Sequence, residues 1–96
     1  MKKVIVRTYA MGVFYGDLSP KSTETKKILR NARRIWKWSG AASLSQLAQS
    51  GTSDPENCKF PEPVSEIELT SQNGFEILTV SSKAQKSIES VKVWKE

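Results

Sequence analysis

Ninety-six residues, 38% hydrophobic and 26% charged, suffice for one small domain (1–96) and are too apolar for a disordered chain. With no histidine and one cysteine, imidazole acid–base chemistry, nearly all zinc sites and any intrachain disulfide are excluded. The net charge of +5 is uneven, because residues 1–48 hold ten Lys/Arg against two acids and residues 49–96 hold five lysines against eight acids. Such asymmetry points to an anionic partner near the first half or to a charge-complementary contact between subunits, against the plainer alternative of a solvated basic face. A chain this short has no volume for a wide internal cavity, so a ligand site is expected on the surface or between subunits.

Residues 3–9 (KVIVRTY) are β-branched and aromatic and predict a strand. Met11-Gly12 offers a turn, and a second strand from Val13 to Leu18 completes a hairpin. Arg7 interrupts the apolar opening, so neither a membrane span nor a secretory signal is expected, and the chain reads as cytoplasmic. Asp17 to Glu24 is a loop. Residues 25–38 fit either a helical stripe or strands, and the strand formers of Ile35-Trp36-Lys37-Trp38 favour two short strands broken near Asn31-Ala32.

Ser43 as N-cap, Gln46 three residues on and Gly51 as C-cap predict a helix over about 43–50, with Leu44, Leu47 and Ala48 as its apolar stripe. Three prolines make 52–63 irregular. Val64 to Thr70 and Phe75 to Val80 read as two strands of a hairpin turned by Asn73-Gly74. Ser81-Ser82 caps a second helix, and Val91 to Trp94 reads as a short final strand. The expected fold class is α+β, a small and mostly antiparallel sheet of about five or six strands with two short helices.

No catalytic, metal or cofactor constellation stands out. Cys58 has no imidazole to activate it and reads as a buried, inert thiol. Glu62, Glu66, Glu68 and Glu76 read as the wet face of a hairpin. The segment Arg33-Arg34-Ile35-Trp36-Lys37-Trp38 carries more chemistry, since guanidinium forks grip phosphates and indoles stack on bases. The small residues of Ser39 to Ser43 precede a helix start, where free N–H groups suit an anion. The candidate ligand-binding residues are therefore Arg33, Arg34, Trp38, Gly40, Ala41 and Ser43. Against this stands core packing of the tryptophans, with Trp36 or Trp94 expected inside.

The runs NARRIWKWSGAASLSQLAQSG, PENCKFPEPVSEIELT and AQKSIESVKVWKE resemble a family of small bacteriophage and prophage proteins of unknown function. The resemblance spans nearly the whole chain and implies a non-enzymatic protein that neutralises a host factor in an infected bacterium. One such class is the anti-CBASS type of nucleotide sponge, oligomers that sequester cyclic oligonucleotide signals of bacterial immunity. The expectation is a homo-oligomer that binds a small nucleotide ligand without cleaving it. Single-stranded nucleic-acid binding on the same Arg/Trp surface, or docking on an acidic host protein, are the alternatives.

Overall fold

The computed structural model describes residues 2–95, and the fold is α+β. Five strands, β1 (Lys2–Thr8), β2 (Val13–Leu18), β3 (Lys26–Arg34), β4 (Val64–Thr70) and β5 (Phe75–Thr79), form one sheet in the order β4-β3-β2-β1-β5. Every neighbouring pair is antiparallel. Two helices, α1 (Leu44–Ser50) and α2 (Ser82–Ser90), cover one face.

The β1–β2 hairpin forms as its composition predicts, with Thr8 N–H donating to Gly12 O across the turn. Residues 26–34 are one strand rather than two. Asn31 has a left-handed φ of 51°, and the pairing slips by one residue there, from Asp17–Arg30 to Tyr15–Arg33. The break read near Asn31-Ala32 is thus a β-bulge, which admits an extra residue without ending the strand. Asn tolerates this conformation better than most residues, and its Nδ2 donates to Asp17 Oδ2 at 3.1 Å. Opposite it, Gly16 lets the bulged strand approach, since a Cβ there would lie 3.0 Å from Arg30 O.

The expected hairpin of 64–70 with 75–80 does not form: β4 and β5 occupy opposite edges of the sheet. Thr70 pairs with Lys26 at the foot of one edge, and Phe75 pairs with Thr8 at the head of the other. In a flat sheet those edges would be four strand spacings apart, roughly 19 Å before any offset along the strands. The five peptide steps from Thr70 to Phe75 reach at most about 18 Å. The sheet therefore curls into a partly open barrel, and Lys27 Nζ on β3 comes within 5.6 Å of the Phe75 ring on β5. Val4, Val6, Phe14, Leu29, Ala32 and Leu69 fill the concave side.

The convex side of β1 and β2 carries the second core. Ile5 and Tyr15 meet Leu44, Leu47 and Ala48 of α1, Ala84 and Ile88 of α2, and the fully buried Phe60. Ser43 caps α1 by accepting from Gln46 N at 3.2 Å, and Gln46 Oε1 accepts from Ala42 N at 3.3 Å. Ser81 caps α2 through Ala84 N, and its hydroxyl also donates to Gln49 O at the end of α1. One serine thus starts one helix and ties down the other. Residues 91–95 form no strand, only an isolated parallel bridge between Phe60 and Val93.

Candidate functional site

The strand formers of Ile35 to Trp38 do not extend β3. After Ile35 N–H donates to Val13 O, the chain leaves the sheet and meets Lys59. Trp36 N and Lys37 N both donate to Lys59 O, and Lys59 N donates to Lys37 O at 2.8 Å. On the other side of this segment Trp94 N donates to Phe60 O at 3.0 Å. Three short extended pieces, 36–37, 59–60 and 93–94, therefore run side by side, and the proline-rich 52–63 connection supplies the middle one.

This arrangement brings Trp36 and Trp94 together at the surface. Their rings stack with centroids 4.9 Å apart and planes inclined by 19°. Lys59 Nζ lies over both rings, 5.0 and 5.3 Å from the centroids, within the range of cation–π attraction. Trp36 is 59% exposed, and Val93, next to Trp94 in the chain, is also exposed. An open cavity of about 710 Å³ adjoins Trp94, walled by Cys58, Ser90, Lys92, Lys95 and Glu56 among others. The expectation that Trp36 or Trp94 is core is corrected: Trp38 is the indole packed against the core.

Arg33 is 5% exposed, and its fork points under α2. Nε donates to Pro61 O, Nη1 to Ile88 O, and Nη2 to Phe60 O and Val91 O, at 2.7–3.1 Å. Four of five guanidinium N–H groups are thus taken by backbone carbonyls. Burial lowers its pKa from the ordinary guanidinium value, opposed by Tyr15. The assignment of Arg33 to a phosphate is corrected accordingly: it binds the end of a helix, where the dipole is negative. Arg34 points to the opposite side, donates to Met11 O at 2.9 Å and lies 4.4 Å over the Phe14 ring.

Trp38 and Ser43 share a shallow cavity of about 400 Å³ with Arg7 and Glu76, which pair at 3.3 Å. Ala41 packs against the core. Gly40 faces its own loop rather than a ligand: a Cβ there would overlap Asp54 N, and Gly40 O accepts from Ser53 N. Asp54 fastens this loop through Ser39 Oγ at 2.9 Å and Asn57 Nδ2, and these hydrogen bonds, Asn57's first, lower its pKa. Of the candidate anion donors of the 40–43 backbone, the Ala42 N–H is already taken within the chain, by Gln46 Oε1. The six candidates therefore do not converge on one site. Lys59 and Trp94, against Trp36, and Lys92, in the wall of the cavity beside Trp94, lie outside the six candidates, although the KVWK run repeats the basic–aromatic composition of RIWKW.

Among the described residues no cluster of three His, Cys, Asp or Glu side chains is placed to hold a metal ion. No helix there is long and apolar enough to cross a membrane.

Fold and surface together define a small α+β protein with a curled five-stranded sheet and a surface tryptophan pair, Trp36 exposed and Trp94 half-buried. The chain belongs to the family described as a domain of unknown function (DUF6948), which matches residues 1–88. Trp36 and Lys59 lie inside the matched stretch and Trp94 beyond it. No curated protein and no solved structure matches the chain.

Proposed function

We propose that the protein captures a nucleotide ligand through the Trp36–Trp94 pair and releases it unchanged. The observation that carries this reading is the surface indole stack, Trp36 exposed and Trp94 half-buried, with Lys59 over both rings. A base is flat and has a π-face, so it stacks on a ring that solvent reaches, while a neighbouring ammonium meets its phosphate. The setting we propose is the one the resemblance implies, a phage protein that sequesters a nucleotide signal in an infected bacterium. A cyclic oligonucleotide is the ligand that setting favours. The cavity beside Trp94 is open, so for such a ligand we propose that a second copy of the chain closes it and that the protein is a homo-oligomer.

A thermal-shift panel of cyclic dinucleotides, cyclic ADP-ribose isomers and short oligonucleotides tests the reading, followed by heat release and analysis of the best ligand. Stabilisation by at least one nucleotide and its intact recovery are expected. Trp36→Ala is expected to weaken binding by about 1–3 kcal/mol, the cost of losing one base–aromatic stack. Product formed in excess of protein would end the non-catalytic reading, and wild-type affinity in Trp36→Ala would move the site elsewhere. The closed, oligomeric form of the reading fails if light scattering gives 10.8 kDa both with and without a tightly bound cyclic ligand.

A further inference from the structure

Lysines continue away from the indole pair. Lys83, Lys86 and Ser90 stand at i, i+3 and i+7 on α2, on the solvent face opposite the buried Ala84 and Ile88. Ser90 is itself part of the cavity wall that includes Lys92, Trp94 and Lys95. The ridge on the helix therefore runs into the aromatic site. Lys37, Lys59, Lys83, Lys86, Lys92 and Lys95 form no ion pair among the described residues, and neither do Lys2, Lys21 and Lys27 elsewhere, whereas Lys3, Arg7, Lys26 and Arg30 do. Among the described residues Glu56 is the one acid lining the cavity.

We infer that the ligand of this surface is a single strand of nucleic acid, one base stacked on the Trp36–Trp94 pair and its backbone following the lysines of α2. The inference rests on the base-stacking part of the reading above and replaces its enclosed cyclic ligand with a linear one. Lys83 is seven residues from Ser90, about 10 Å along the helix axis, too far for the phosphate of a mononucleotide held on the rings. A strand bridges that distance. The helical ridge covers about 10 Å and runs into the cavity at Ser90, room for roughly three nucleotides or more. A duplex does not fit the same chemistry, because its base faces are already stacked on each other.

The test is titration of the full chain with thymidylates of increasing length, from a mononucleotide to about eight residues. A cyclic dinucleotide and an oligo-aspartate of matching charge complete the series. Affinity is expected to rise about tenfold or more from the shortest ligand to the longest, and to fall with salt at about 0.7 log units per phosphate contacted. The exposed double variant Lys83→Gln/Lys86→Gln is expected to keep wild-type stability and mononucleotide affinity. Its salt slope for the longest strand should be shallower by about 1.4. Mononucleotide binding with no gain from length, or an unchanged slope in the double variant, overturns the strand and leaves the nucleotide reading standing. Equal binding of oligo-aspartate overturns it in favour of an acidic protein partner. Failure of every nucleotide to bind overturns both readings.

Discussion

Arg33 sets its guanidinium against four carbonyls and, among the described residues, no carboxylate, with the Phe60 ring 5.4 Å from its guanidinium carbon. Two of those carbonyls keep other partners, since Ile88 O accepts from Val91 N and Phe60 O from Trp94 N. Pro61 O and Val91 O have only Arg33 among the hydrogen bonds described. Arg33→Met is therefore expected to destabilise the fold by about 3 kcal/mol or more, at 1–3 kcal/mol per stranded acceptor. The urea midpoint reads this directly, and a variant as stable as wild type would refute the role. Trp38→Ala is likewise expected to lower stability, by about 3 kcal/mol for a partly buried indole, while sparing nucleotide affinity. Trp36→Ala should do the reverse. The sequence shows which side chains can grip a phosphate or stack on a base, but not which of them the backbone already engages. Arg33 and Arg34 are adjacent and alike in composition. Strand alternation sends them to opposite faces, and only the docking of α2 on one face determines which is buried.

At the scale of elements, the bulge and the 39–58 loop each carry a measurable consequence. Asn31→Val places a strong strand former in a strand, yet its β-branched side chain is badly suited to a φ of 51°. A loss of about 1–2 kcal/mol is expected, added to the loss of the hydrogen bond to Asp17. A variant more stable than wild type in thermal unfolding would show that the bulge is not fixed by Asn31. Asp54 has a pKa lowered by Asn57 and Ser39, so its contribution is present above the unfolded value and is lost as pH falls through the folded one. Asp54→Asn is therefore expected to flatten the acid limb of the stability profile below about pH 4, the ordinary carboxylate range. An acid limb identical to wild type would count against the Ser39–Asp54–Asn57 link. Helix caps, β1, β2 and the outlines of β4 and β5 were legible because each is encoded within a few residues. The pairing of β4 and β5 was not. Asn73-Gly74 reads locally as a hairpin, and which strand β5 joins depends on a barrel closure that no short window contains.

For the whole molecule, the opposed charges of the two halves have an internal outlet. Lys3–Glu89, Arg7–Glu76, Lys26–Glu68 and Arg30–Glu66 each join a cation of the first half to an acid of the second. Part of the opposed charge is thus paired within the chain by β1, β3, β4, β5 and α2. These pairs are largely exposed, and each is worth about 0–1 kcal/mol. Raising the salt concentration should therefore change the urea midpoint little, while strand affinity falls steeply. If stability and affinity lost ground in parallel, the lysine surface and the folding of the domain would not be separable.

The four bonds of Arg33 also order events in time. Their partners lie 27, 28, 55 and 58 residues further along the chain. While the chain is being synthesised, β1, β2 and β3 leave the ribosome with this guanidinium unpartnered, and β1 waits for β5 to cover its open edge. A stable native sheet cannot form until residues 75–91 have emerged, so folding is expected to be late and all at once rather than stepwise from the N-terminus. A chain stopped at residue 80 should be cut by protease at every stage. The chain continued through 95 should become resistant in a single step.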